Sequence, residues 1–362
     1  MKKMLLSVAM MMATLSLHAT DANYQVVPLP QSIIAEKGAA FVLDGNTTVS
    51  VVGTDEAMLR NAAFLKEYIR EATGINPTGT NKKAAAITLK LNAKVEQEEG
   101  YVITVKAKGI TIEGKTPRGV FYGIQTLRKS LPLEQAQSVT FPAARIVDYP
   151  RFGYRGTMLD CGRHYFKPEF IKEFIDMLAL HNLNTFHWHL TEDQGWRVQI
   201  DRYPKLTEVG SKRARTVIGR ITGIYDEIPH GGFYTKDEMR DIVNYAADRY
   251  ITVIPEIDVP GHTQSVLASY PELGCTGGPY KVGETWGVFP DILCAGNPKT
   301  NEFVHNVLDE VLDIFPSKYI HIGGDEAPRD RWKNCPRCQA EIKRLGFKGA
   351  PGTSPEAQLR IH

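Results

Sequence analysis

The chain has 362 residues, 43% hydrophobic and 23% charged, which is the composition of a folded globular protein and long enough for two domains. The formal net charge is only +2, and no block of like charge is hidden in that average. The electrostatic case for a nucleic-acid partner or an anionic membrane surface is therefore absent.

Lys2 and Lys3 precede an apolar run from Met4 to Leu17, with small residues following at Ala19 and Ala22. This is the pattern of a secretory signal peptide over residues 1–22, with a mature start near residue 20 and a secreted or periplasmic location. The apolar run is too short for a comfortable membrane span.

Residues 23–148 carry a mixed pattern. Strands are expected at Phe41 to Val52, Ala86 to Leu91, Tyr101 to Lys106 and Gly109 to Glu113. Helices are expected at Glu56 to Thr73 and Pro117 to Ser130, where apolar residues recur at helical spacing. This is a small α+β accessory domain with no identifiable chemistry.

From residue 149 onward the order becomes strand, helix, strand, helix. Strands are expected at Gly156 to Cys161 (short and buried), Asn184 to Leu190, Ile251 to Ile257 and Tyr319 to Ile322. Helices are expected at Pro168 to His181, at Thr235 to Arg249 with a capping box from Thr235 and Glu238, and at Thr300 to Phe315. Such alternation implies parallel strands with right-handed crossovers.

Each strand ends in unusual polar residues. Asp160, Arg163 and His164 follow the first; His187, His189, Glu192, Asp193 and Trp196 end and follow the second. Glu256, Asp258 and His262 follow the third, and Asp325 and Glu326 the fourth. Chemistry gathered at strand C-termini is the plan of a (β/α)8 TIM-type barrel. Only four of its eight units are present, so the expectation is a barrel incomplete at the C-terminus, and the start of a cut-off helix is read over Ser354 to His362.

Gly323 and Gly324 allow a sharp turn that aims both Asp325 and Glu326 into one mouth. A charged Asp325 would raise the affinity of Glu326 for its proton, as a general acid requires. Consecutive carboxylates are badly placed to flank a glycosidic bond from opposite sides, about 5–5.5 Å apart, as an ordinary retaining pair does.

Four stretches then carry a resemblance. They are Arg-Gly-Thr-Met-Leu-Asp-Cys-Gly-Arg-His (155 to 164), Phe-His-Trp-His-Leu-Thr-Glu-Asp-Gln-Gly-Trp-Arg (186 to 197), Pro-Glu-Ile-Asp-Val-Pro-Gly-His (255 to 262) and His-Ile-Gly-Gly-Asp-Glu (321 to 326). Residues 23 to 362 resemble glycoside hydrolase family 20, the β-N-acetylhexosaminidases. The resemblance implies substrate-assisted, retaining release of a terminal β-linked N-acetylhexosamine (GlcNAc or GalNAc) from an oligosaccharide or glycoconjugate. It implies Glu326 as proton donor, Asp325 as holder of the 2-acetamido group, and Arg163 as the grip on sugar hydroxyls. Asp193 and His262 match polar residues around the acid, Asp258 is expected to orient His262, and His189 is a supporting residue. The resemblance implies no metal and no organic cofactor. The family's later strands carry further sugar contacts, which no residue here matches.

Two competing readings have a basis in the residues. His187 and His189, with His262, His321 and Asp325, offer ligands for a metal-dependent hydrolase on the same barrel. A non-catalytic sugar-binding fragment is the other. Among the five cysteines, Cys275 and Cys294 are candidates for a disulfide, Cys335 and Cys338 for a local disulfide or free thiols, and Cys161 for a packed thiol. A zinc site is not expected, because no second closely spaced pair accompanies Cys335 and Cys338.

Overall fold

The computed structural model describes residues 18–78, 86–220 and 222–346. The apolar leader and the segment Ser354 to His362 lie outside the described residues. The chain divides into two compact units, Met1–Gly153 and Tyr154–His362.

In the first unit a six-stranded mixed sheet runs in the order Ser32–Ala35, Ala144–Asp148, Tyr101–Lys106, Gly109–Gly114, Ala86–Leu91, Thr48–Val51. Alternation explains the central strands: Tyr101, Ile103, Val105, Ile110 and Ile112 are all buried. Helices Glu56–Thr73 and Pro117–Ser130 pack on this sheet and on each other. Asp55 caps the first helix by accepting from the Met58 amide at 2.9 Å, and Gly74 ends it in the left-handed conformation at φ 76°. The expected single strand from Phe41 to Val52 is two, Phe41–Leu43 and Thr48–Val51, in different sheets. A turn over Asp44 to Thr47 separates them, tied by Asp44 N–H donating to Thr47 Oγ1 at 3.0 Å. A second sheet, with Ala136–Phe141 at its centre, pairs His18–Asp21 in parallel and Phe41–Leu43 in antiparallel fashion.

In the second unit Gly156–Asp160, Thr185–His189 and Thr252–Glu256 form a parallel sheet in that order. Helices Pro168–Leu180 and Lys236–Asp248 make the two crossovers and pack together. The capping box is present: Thr235 Oγ1 accepts from the Glu238 amide at 3.2 Å, and the Glu238 carboxylate accepts from the Thr235 amide at 2.8 Å. Trp188 of the middle strand is fully buried, its ring 4.7 Å from that of Tyr234.

Two expectations about this sheet need correction. The first strand is not buried: Met158 is 48% exposed, because among the described residues only its neighbour Thr185–His189 pairs with it. Residues 319–322 form no fourth strand. His321 makes one parallel bridge to Glu256, extended by hydrogen bonds from the Ile257 and Val259 amides to the His321 and Ile322 carbonyls at 3.0 and 3.1 Å. No strand pairs with its other edge among the described residues, so two flanking ladders never form around it.

Candidate active site

The polar strand ends converge on one mouth. The first strand delivers Asp160, whose carboxylate accepts from the Arg163 backbone at 3.0 Å and from its guanidinium at 2.5 Å. The same guanidinium reaches Glu192 Oε1 at 2.6 Å. Arg163 is thus held between two carboxylates, with part of its fork still facing outward.

The loop carrying Arg163 is fixed from beneath by Arg197. This buried guanidinium donates to the backbone carbonyls of Cys161, Gly162, Ser211 and Gly232 at 2.7–3.2 Å. Burial, and after it the nearby charge of Arg213, lower its pKa to about 10.

Glu192 links Arg163 to His262. His262 Nδ1 stands 3.1 Å from Asp193 Oδ2 and 3.2 Å from Glu192 Oε2, with all three side chains buried. Hydrogen bonds to Asp193 and Glu192 raise the His262 pKa to about 11, so the ring is a buried imidazolium at neutral pH. Its other nitrogen, Nε2, has no hydrogen-bond partner. It lies 3.6 Å from Glu326 Oε2 and 3.9 Å from Asp325 Oδ2. One positive N–H therefore faces both carboxylates of the pair, which fits the expectation of a shared mouth. Asp325 and Glu326 themselves face solvent, with side chains 70% and 56% exposed.

The turn that carries the pair is strained. Gly323 and Gly324 have φ of 65° and 103°, and Glu326 and His262 adopt the left-handed region at 46° and 51°. A non-glycine residue held there costs on the order of 1–3 kcal/mol and persists only when its surroundings enforce it. Asp258 does part of the enforcing. Its Oδ1 accepts from the Gly324 amide at 3.1 Å, and a Cβ on Gly323 would lie 1.8 Å from the same oxygen. Burial raises the Asp258 pKa to about 8 despite that bond. An oxygen of Asp258 also lies within 4.8 Å of a ring nitrogen of His262, the residue it is expected to orient. Glu192 and Asp193 hold the ring, and Asp258 holds the glycine turn, because it lies directly under the Gly323–Gly324 backbone.

His189 sits deeper, with Nε2 3.0 Å from the Thr191 carbonyl and Nδ1 3.8 Å from Glu256 Oε2. His187 Nε2 lies 2.5 Å from the other face of this network at Glu256 Oε2, and His321 Nδ1 lies 3.0 Å from Glu256 Oε1. Burial pushes the Glu256 pKa up, but the bond from His187 and the neighbouring imidazoles bring it below the usual value. His187, Glu256 and His321 lie close enough to share a cation, as the metal-hydrolase reading requires. They are already bonded to one another and do not line the cleft where Arg163 and Glu326 meet.

That cleft has a volume of about 860 Å³, with Asp160, Arg163, Trp286, Val288 and Glu326 among its lining residues. Sequence reasoning did not place Trp286 and gave Glu192 no role. Trp286 had no signal, since its loop approaches the mouth only in three dimensions. Glu192 had none either: its need for partners follows from its complete burial, which only the fold reveals, and Arg163 and His262 are those partners. Trp196 is buried, with its indole N–H donating to the Val198 carbonyl at 2.6 Å.

Comparison with known proteins gives a consistent result. The model of the glycosyl hydrolase family 20 catalytic domain matches residues 152–356, and that of the family's domain 2 matches residues 23–149. A beta-hexosaminidase of Porphyromonas gingivalis is 41% identical over 338 residues, covering 91% of this chain and 42% of that protein. The beta-hexosaminidase of Vibrio furnissii is 36% identical, covering 92% of this chain and 54% of its own length. Among solved structures, a mutant Streptomyces plicatus beta-hexosaminidase in complex with product (GlcNAc) aligns with TM-score 0.76 at 33% identity, covering 93% of this chain and 64% of that one. Flavobacterium johnsoniae chitobiase aligns with TM-score 0.77 at 32% identity, covering 93% and 50%. The chain thus spans about half the length of the curated relatives it matches.

Proposed function

The chain belongs to glycosyl hydrolase family 20, and from that premise we propose that its site releases a terminal, non-reducing β-linked N-acetylhexosamine by substrate-assisted, retaining catalysis. The observation that carries this reading is the pairing of Asp325 and Glu326 over one buried imidazolium, at 3.9 and 3.6 Å. Glu326 lines the cleft together with Arg163. In this mechanism the 2-acetamido oxygen attacks the anomeric carbon while the glycosidic bond breaks. Glu326 gives its proton to the departing oxygen, and Asp325 accepts from the acetamide N–H and offsets the positive charge that develops on the ring. Water then attacks the anomeric carbon and displaces the acetamido oxygen, whose bond to that carbon breaks as Glu326 takes the water's proton; two successive inversions leave the configuration retained. The charge of His262 attracts the Asp325 carboxylate, and the same nitrogen lies 3.6 Å from Glu326 Oε2. Arg163, held between Asp160 and Glu192, offers a rigid fork to two neighbouring sugar hydroxyls.

The test is hydrolysis of an aryl β-N-acetylglucosaminide and the matching galactosaminide. Glu326→Gln should lower kcat by about 10²–10⁴-fold, the usual contribution of a positioned acid, while leaving sugar binding measurable. Turnover by the variant at the normal rate would overturn the assignment. Complete loss of wild-type activity in chelator, with rescue by a cation and with the fold intact, would favour the His187–Glu256–His321 reading.

The substrate class follows from this mechanism, since the acetamide is the nucleophile. The N-terminal run Met4 to Leu17 is assigned to export, supported by its charged start and length. Among the described residues no helix is long and apolar enough to cross a membrane. The strand His18–Asp21 overlaps the expected cleavage region. Sequencing the N-terminus of the exported chain tests this reading: an intact Met1 on protein outside the cytoplasm would sink it.

A further inference from the structure

Four of the five cysteines, far apart in sequence, meet at one point. Cys275 and Cys338 are separated by 63 positions, and Cys294 and Cys335 by 41. Their sulfurs all lie within 4.8 Å of one another. Cys294 Sγ stands 3.8 Å from Cys335 Sγ and 3.6 Å from Cys338 Sγ, and Cys338 Sγ stands 3.8 Å from Cys275 Sγ. The sulfurs are therefore not grouped in twos: Cys294 and Cys338 each have two near neighbours at almost equal distance. Four thiolates bound tetrahedrally at ~2.3 Å around zinc lie about 3.8 Å from each other. Two disulfides would instead draw each bonded pair to about 2.05 Å.

From this geometry we propose that Cys275, Cys294, Cys335 and Cys338 form a structural tetrathiolate site for a soft, tetrahedral divalent cation, zinc by chemistry.

The surrounding fold is built to bring the sulfurs together. An antiparallel bridge between Gly274 and Leu293 sets Cys275 and Cys294 side by side, and the Cys294 amide donates to the Leu273 carbonyl at 2.8 Å. Cys335 is the N-cap residue of the helix Pro336–Arg344, and Cys338 lies in its first turn. Gly296 permits the two halves to close, since a Cβ there would lie 2.1 Å from the Arg337 carbonyl carbon and 2.4 Å from the Cys338 nitrogen. Arg337 extends from the Cys-Pro-Arg-Cys turn to the Gly274 carbonyl at 3.0 Å, placing a positive charge beside the sulfurs. Trp332 seals the apolar side with Ile292, its indole N–H donating to the Leu293 carbonyl at 2.9 Å.

On binding, each thiol gives one proton to solvent and each thiolate donates an electron pair to the cation. No oxidant is required, whereas disulfide formation needs one. The site holds two parts of the cleft in register. The loop between Cys275 and Cys294 carries Trp286, and the segment ending at Cys335 continues directly from Asp325 and Glu326. Closing these long loops on one ion removes freedom from the unfolded chain and from the loops.

The experiment is elemental analysis of the whole chain, prepared once from a reducing cytoplasm and once after export. The expected result is about one zinc per chain in both, released by an organomercurial and replaceable by cobalt with thiolate-to-cobalt charge-transfer absorption. Cys294→Ser and Cys338→Ser should each lower the bound metal about tenfold or more, and Cys161→Ser should leave it unchanged. Should the serine variants fail to fold, the cobalt spectrum of the unaltered chain still decides. A metal-free chain whose intact mass shows two disulfides would overturn the proposal. So would four thiols that alkylate freely in zinc-containing buffer.

Discussion

The floor and the rim of the candidate site are built on opposite principles. On the floor, Glu192, Asp193 and His262 are buried and bonded to one another, and the charge of each is matched by a neighbour. On the rim, Asp325 and Glu326 are mostly exposed, and His262 Nε2 faces both from beyond hydrogen-bond range. Buried ion pairs are costly to break but add little net stability when complete. Exposed carboxylates are stabilised by water and cost the fold little. The lesson is a division of labour: the floor fixes geometry through stability, and the rim supplies reactivity at little structural cost.

Substitutions can separate the two. Glu326→Gln on the rim should have the largest catalytic effect, the loss of about 10²–10⁴-fold in kcat, with a change in unfolding free energy within about 0.5 kcal/mol. A large stability loss, measured by denaturant unfolding, would show that the rim is structural after all. On the floor, Asp193→Ala removes a buried partner of the imidazolium and should destabilise by about 3–5 kcal/mol. A stability change under ~1 kcal/mol would mean that Glu192 alone suffices.

Arg163→Lys keeps the charge but loses the fork between Asp160 and Glu192. It should raise KM for the aryl glycoside by roughly tenfold, about 1.4 kcal/mol, with a smaller change in kcat. An unchanged KM would remove Arg163 from sugar binding.

The pH dependence sharpens the same contrast. The folded His262 pKa of about 11 lies above its ordinary 6.5, so the floor's stabilisation is full below 6.5 and is lost as pH rises through 11. Unfolding measured at neutral pH and near pH 10 should show the decline, and His262→Gln should flatten it. The smallest effect is expected from Asp258→Asn. The amide oxygen can still accept from Gly324, and below pH 3.8 the acid is protonated in the folded and the unfolded chain alike, so stability there should change by under ~1 kcal/mol. The variant should lose the decline that the native acid causes between 3.8 and about 8.

Much of the second unit was legible in the sequence because barrel chemistry sits at strand ends, where a local pattern marks it. The three paired strands, their crossover helices and the Thr235–Glu238 capping box follow that pattern closely. Residues 319–322 read as a strand because they are β-prone, yet a strand is a property of its neighbours as well as its residues. In the first unit, one apolar alternation from Phe41 to Val52 hid a turn that sends its two halves into different sheets.

By itself, the sequence determined the two-part organisation, the parallel strand grammar, and the family resemblance that led to Arg163, Asp193, His262, Asp325 and Glu326. Those features lie within short runs of residues, where covalent spacing and local geometry leave few alternatives. Only the tertiary structure decided that Glu192 joins Arg163 to His262, that Asp258 holds the glycine turn, that Trp286 borders the cleft, and that four cysteines spread over 63 positions share one centre. Each of these depends on loops brought together by packing, and spacing along the chain carries no trace of such a meeting.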